Sequence, residues 1–325
     1  GQWLNARTLG AACDDATDDT TVLARIFAAV PVGTTVYLPG MCRSSAPVVI
    51  RSHTRVVCAG MGGSTHGVFT AASTFGGGIR NTGTGVAVNF QDQVTSTNLT
   101  SIQSSISDCN IIGPGSASSH GILVQNPAVV DINRVFIANH GGICVDIEGG
   151  AFGSTWGQNT YVRNSWITHC YVGGIRVGGA YRPTITNIQN NSILAGARYL
   201  IYVSNGWITN IVGNELASLS YNGLGTAEQG HGVVINAATT VLIQGNSFES
   251  ISGRVGSPVR YIYTGFNGDT QAEVSSAAQG VSIVDNSFNP GNPDVTVIEA
   301  RQVRGLKISG NFFQDGVAGG TNRGI

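Results

Sequence analysis

Along most of the chain, apolar and polar residues alternate in short runs, and the runs repeat. From about residue 100 one phrase recurs: two alternating apolar residues, a turn, Asn, one further residue, then a large apolar residue. It reads YVRNSWI at Tyr161–Ile167, NIQNNSI at Asn187–Ile193, LIQGNSF at Leu242–Phe248 and KISGNFF at Lys307–Phe313. The register residues are Asn164, Asn191, Asn214, Asn246, Asn286 and Asn311, with Cys109 and Val135 at the same place in two earlier copies. Spacings run from 23 (Asn191 to Asn214) to 40 (Asn246 to Asn286), as expected of coils that share a core but carry loops of different length.

A second phrase opens on Gly and continues with alternating apolar residues: HGILV at His120–Val124, GGICVDI at Gly141–Ile147 and HGVVI at His231–Ile235. Each coil therefore reads as a Gly-start strand, a turn, a second strand, an Asn turn and a third strand. Period-two alternation places Ile143, Val145 and Ile147 inward and Cys144, Asp146 and Glu148 outward. Stacked coils bury a continuous apolar column and align the turn Asn side chains, whose amides bond along the axis. The fold class predicted is all-β: a single right-handed parallel β-helix with a short N-terminal capping helix. Residues 1–60 read as the cap and first coils, and 61–325 as the β-helix body of one continuous domain.

The amino end departs from the repeat. Asp14–Val30 reads as a helix, with Asp18 or Asp19 capping it and Val22, Leu23, Ile26, Phe27 and Val30 on one face. The order LGA…DDATDDT…GTTVYLPG…VVIRSHTRVVCAG within the first 60 residues resembles the N-terminal portion of the pectate lyase-like β-helix superfamily. Bacteriophage tailspikes and many extracellular polysaccharide-degrading enzymes share that signature. The resemblance implies that the helix plugs one end of the apolar column, giving Asp18, Asp19 and Thr20 structural roles. It also implies an extracellular or virion-tail location, a polysaccharide as substrate and a homotrimer, as tailspikes generally form.

Composition narrows the classes. Charged residues are 11% of the 325, far below the roughly 25% of an average globular protein, which disfavours exposed helices. Net charge is −1 with no basic stripe, against general nucleic-acid binding. No apolar run approaches the ~18 residues of a membrane-spanning helix, so no membrane insertion is expected. Gly1 reads as a processing boundary, and GGTNRGI at Gly319–Ile325 as the start of another coil. Six cysteines lie in the first 170 residues without metal-type spacing. They read either as disulfides, centred on the N-terminal trio, or as buried free thiols.

In folds of this superfamily a saccharide lies along the outer face of the Gly-start strands. The outward residues there are Ala87 and Asn89, Leu123 and Gln125, then Cys144, Asp146 and Glu148, then Arg176, Tyr202 and Val234 and finally Arg260 or Tyr263, and most are uncharged. Asp146 and Glu148 are the exception: two carboxylates on one strand face, the pair a glycosidase needs as acid and base or nucleophile. Arg176, one coil on, suits an acidic sugar, although a plain surface ion pair is the competing reading. Tyr202 and the loop residues Trp156, Tyr221, Phe266, Glu228 and Asp269 are further substrate-binding candidates. The triplet around His231 resembles a polygalacturonase motif. His120-Gly121 and His140-Gly141 occupy comparable positions, however, which marks His-Gly as a recurring turn and leaves His231 a binding candidate.

The leading expectation is a glycoside hydrolase acting on a bacterial surface polysaccharide, with Asp146 and Glu148 or a loop carboxylate as catalysts. A polysaccharide lyase or epimerase would use Arg176, Tyr202 or His231 to handle protons. A non-catalytic glycan-binding fibre is the third reading. No metal or cofactor is expected, with Ca²⁺ entering only for a lyase.

Overall fold

The architecture is that of a computed structural model, which describes residues 2–51, 53–62, 76–91, 103–115, 118–125, 129–149, 157–179, 182–196, 198–217, 230–249, 259–270, 272–290 and 295–314. Three long parallel sheets wrap one core as a right-handed parallel β-helix. The first sheet runs from Trp3–Asn5 to Val303–Ser309, the second from Met41–Ser44 to Phe312–Phe313, and the third from Val48–Ile50 to Val295–Ala300. One coil shows the path: Gly157–Arg163 in the first sheet, a tight turn, Trp166–Cys170 in the second, then Gly173–Val177 in the third.

The turn between first and second sheets demands one left-handed residue. Asp108, Arg134, Asn164, Asn190, Gly213, Gly245, Asp285 and Gly310 fill it in successive coils. The residue after it faces inward and forms the ladder. Asn191 donates from its backbone and its amide to Asn214 Oδ1 at 3.0 Å each, and Asn214 to Asn246, Asn246 to Asn286 and Asn286 to Asn311 repeat the arrangement. The expectation for Asn164 needs correction. Asn164 takes the left-handed place, which Asn tolerates well, and Ser165 takes the ladder place, donating from its backbone to Asn191 Oδ1.

Beyond the ladder the second sheet lines the core with a column of apolar side chains, Ile79, Ile111, Ile137, Ile167, Ile193, Leu216, Phe248 and Phe288, all fully buried. The same core cluster reaches from Ala6 to Ile298. The capping helix spans Thr20–Ala29 and adds Leu23, Ile26 and Phe27 to it. It begins later than expected because the Asp14 side chain closes its own turn on the Ala16 and Thr17 N–H groups. Asp18, which precedes the N-cap Asp19, accepts from the Thr20 N–H, the first donor of the helix. Asp19 instead accepts from the Ala12 and Cys13 N–H groups, tying the preceding loop to the helix.

The third sheet departs from simple alternation. Ala87, Cys144, Leu200 and Tyr261 lie in the core, and so do their neighbours Val88, Val145, Ile201 and Ile262. Two consecutive inward residues mean that each strand turns a corner. Ala87 and Cys144 are therefore inward, contrary to expectation, while Ile143 lies outside the main core cluster. The corner explains the Gly-start pattern: a Cβ on Gly121 would lie 2.9 Å from Ile137 Cγ2 and 2.3 Å from the Cys144 carbonyl oxygen.

The cysteines form Cys13–Cys42, Cys58–Cys109 and Cys144–Cys170 disulfides, so only the first lies within the N-terminal trio.

Candidate functional site

In-register parallel stacking sets each outward residue roughly 4.8 Å from its counterpart in the next coil. One outer column of the third sheet thus runs Asn89, Leu123, Asp146, Arg176, Tyr202, Val234, Tyr263 and Glu299. Beside it runs Gln91, Gln125 and Glu148. The charges meet at Arg176. Its Nε and Nη2 donate to the two Asp146 carboxylate oxygens at 2.8 and 2.6 Å. Its Nη1 donates to Asp269 Oδ2 at 3.1 Å, and Glu148 Oε1 lies 3.7 Å from Nη2. Burial disfavours the Arg176 charge, but the hydrogen bonds and charge of Asp146, with Asp269, outweigh it and raise the guanidinium pKa further above its ordinary value.

The three carboxylates differ in access. The Asp146 side chain is 6% exposed and both its oxygens are engaged. The Glu148 side chain is 25% exposed and loosely held, with Gln125 Nε2 at 3.4 Å. The Asp269 side chain is 37% exposed and accepts from the Tyr199 hydroxyl at 3.1 Å, while its carbonyl accepts from Arg198 at 2.7 Å. Tyr199 reaches it by lying over Gly173, where a Cβ would meet the ring at 2.0 Å. Burial first, and the Asp269 charge second, hold the Tyr199 hydroxyl protonated well above its usual range.

A short hairpin pairs Phe266–Asn267 with Ala272–Glu273 and folds over this face. Phe266 stacks on Tyr263 at 4.7 Å, and these rings bury Tyr199, Tyr202 and Val234 in a satellite cluster outside the main core. Tyr202 is thereby covered, and so is His231, whose ring stands edge-on to Tyr263 and Phe266 at 5.5 and 5.2 Å. Among the described residues neither His231 ring nitrogen has a hydrogen-bond partner, and burial lowers its pKa to about 3. His120 and His231 occupy the same outer register as Tyr199, whereas His140 ends the second-sheet strand Phe136–His140. Arg260 and Tyr263 both face outward, with the guanidinium 4.5 Å over the ring.

The structure therefore brings together Asp146, Glu148, Arg176 and Asp269. It places Tyr202 and His231 under the hairpin. Trp156, Tyr221 and Glu228 lie outside the described residues. Tyr199 and Arg198 escaped the sequence reading because the corner in each strand inverts the alternation at Tyr199. The grouping Cys13, Asp19 and Cys42 has ligand atoms in reach of one another, but a disulfide and two backbone hydrogen bonds already occupy them.

No model of a known family and no curated protein matches the chain. Solved structures do. The enzymatically active domain of tailspike protein 2 from bacteriophage CBA120 is 14% identical, with a TM-score of 0.66 over 97% of this chain and 43% of that one. The A-module of the Azotobacter vinelandii mannuronan C-5 epimerase AlgE4 is 13% identical, with a TM-score of 0.55 over 98% of this chain and 100% of that one. The DFA-IIIase of Arthrobacter chlorophenolicus is 14% identical, with a TM-score of 0.56 over 96% of this chain and 84% of that one. All are right-handed parallel β-helices, and so is this chain. At such identities the likeness speaks to fold, and the chain spans 43% of the length of the tailspike structure it matches.

Proposed function

We propose that the protein is an extracellular carbohydrate-active enzyme that hydrolyses glycosidic bonds of a bacterial surface polysaccharide, working on the outer face of the third sheet. The observation that carries the reading is the convergence of Asp146, Glu148 and Asp269 on one guanidinium, with Glu148 and Asp269 still reachable from solvent. Glu148 lies 3.7 Å from Nη2 and Asp269 3.1 Å from Nη1 of that guanidinium, so one side chain brings together the two carboxylates a glycosidase needs. One protonates the leaving oxygen; the other activates water or attacks the sugar carbon. Asp146, saturated by Arg176, serves as a positioning residue that fixes the guanidinium between them.

Hydrolysis by two carboxylates calls for no metal or cofactor. Three disulfides suit an oxidising, extracellular setting. The tailspike, epimerase and DFA-IIIase likenesses supply the association with carbohydrate chemistry, and the tailspike likeness that with a virion tail. We include the homotrimer of tailspikes in this reading.

The test is a screen of capsular, O-antigen and uronate polysaccharides for newly released reducing ends, followed by Glu148→Gln and Asp269→Asn. Each substitution is expected to lower turnover by ~10²–10⁴-fold with thermal unfolding unchanged. Wild-type turnover in both variants overturns the site. Ultraviolet absorbance of an unsaturated uronate product makes the enzyme a lyase. Retention on a polysaccharide that is never cleaved makes it a binding fibre.

A further inference from the structure

The first sheet carries a groove of its own, on a different face of the β-helix from the carboxylate cluster. We infer that this groove is a second saccharide-binding site, selective for an anionic oligosaccharide. Its cavity is about 540 Å³, lined by Arg55, Gln103, Ser105, Asp131, Tyr161 and Arg163.

The register builds it. Arg55 pairs with Ser105, Ser105 with Asp131 and Asp131 with Tyr161, so four outward residues from successive coils form one straight row. Three strand spacings give a row about 14 Å long, the reach of a short oligosaccharide. The chemistry along it is that of sugar recognition. Tyr161 is half-buried and offers a ring for the apolar C–H face of a pyranose. Asp131 and Arg163 are locked to each other by two hydrogen bonds of 2.9 and 2.7 Å, yet both side chains stay partly exposed. They present a rigid acceptor and donor to ring hydroxyls, flanked by Ser105 and Gln103.

Charge selects the ligand. Arg163 is neutralised by Asp131, whereas the exposed Arg55 meets no carboxylate among the described residues. The lining thus carries one surplus positive charge at one end of the row, which favours a carboxylated or sulfated sugar. Arg134 is likewise neutralised, by Asp108 at 2.7 Å, so it leaves the one surplus charge at Arg55 unchanged. A polymer held here leaves the third-sheet face free, so the groove would tether substrate while the carboxylates work. That role rests on the polysaccharide reading above; the binding itself does not.

The experiment is affinity electrophoresis of the full chain through gels containing polygalacturonate, alginate, heparin or neutral dextran, with salt varied. At least one anionic polymer should retard the protein, dextran should not, and retardation should fall with salt. Arg55→Ala and Tyr161→Ala should each weaken retardation at least five-fold at unchanged thermal unfolding. Arg55→Glu should abolish it. Turnover of short fragments by Arg55→Ala should match wild type, which separates failure of this groove from failure of the catalytic reading. The inference is overturned if no anionic polymer retards the wild type, or if Arg55→Glu and Tyr161→Ala are retarded as strongly as wild type.

Discussion

The coils near the amino end and those near the carboxyl end are fastened along the axis by different chemistry. Up to Cys170 the fastenings are covalent: Cys13–Cys42, Cys58–Cys109 and Cys144–Cys170. From Ser165 to Asn311 they are the amide ladder. The same turn position serves both. Cys109 occupies the ladder place and spends it on a disulfide; Val135 leaves it apolar; from Asn191 onward it is always Asn. A buried apolar ladder residue leaves the preceding coil's ladder N–H without its side-chain acceptor, so from Asn191 onward the ladder runs unbroken. The carboxylate cluster sits at the changeover. Cys144 lies two residues before Asp146, and its disulfide ties that strand to the coil that presents Arg176.

The largest expected effect breaks the covalent half. The disulfides close loops of 29, 51 and 26 residues, worth about 3–4 kcal/mol each on the chain-entropy account. Reduction in mild denaturant should expose the coils before Cys170 to hydrogen exchange while strands from Asn191 to Asn311 stay protected. Simultaneous loss in both halves would show that one cooperative unit spans the molecule and that the two fastenings are not independent.

The ladder is tested next. Asn246→Ala removes the acceptor of the Asn214 N–H and amide and the donor to the Ile211 carbonyl, all buried. Leaving these groups unpaired should cost about 3 kcal/mol in urea unfolding, with protection lost first around Ile211 and Ile243. Asn246→Ser should recover part of it, because Ser165 at the equivalent place accepts from the Val135 N–H at 3.1 Å. Equal losses in the two variants would mean that the side chain's volume, not its hydrogen bonds, is what the site needs.

Why some of this was readable in the chain and some was not follows from distance along it. The ladder and the apolar column show because each coil repeats them. The meeting of Asp146 with Arg176 shows because in-register stacking joins like positions of successive coils. The repeat points to Asn164 rather than Ser165 because the left-handed place beside the ladder favours the same residue type. The disulfide pairs were hidden because loops of unequal length set which cysteines face each other. Asp269 reaches Arg176 across 93 residues, and only the hairpin that carries it decides that contact. The same hairpin buries Tyr202 and His231, which no periodicity announces.

The smallest effect is the one the two halves should share. His140 lies in the disulfide-bonded half and His231 in the ladder half, and burial lowers both to a pKa of about 3. An unfolded histidine titrates near ~6.5. Between those values the unfolded chain binds more protons than the native one, so the contribution is complete above pH 6.5 and is lost progressively as pH falls toward 3. At pH 5 each histidine should subtract about 2 kcal/mol relative to pH 7. Acid should therefore weaken both halves alike, where reductant weakens one. His231→Phe, whose ring can pack against Tyr263 and Phe266 without a proton to bind, should flatten the pH dependence of exchange in the ladder half and leave that around His140 unchanged. Parallel pH slopes for variant and wild type would mean that the hairpin opens to let His231 protonate, and that this face is less firmly closed than the ladder beneath it.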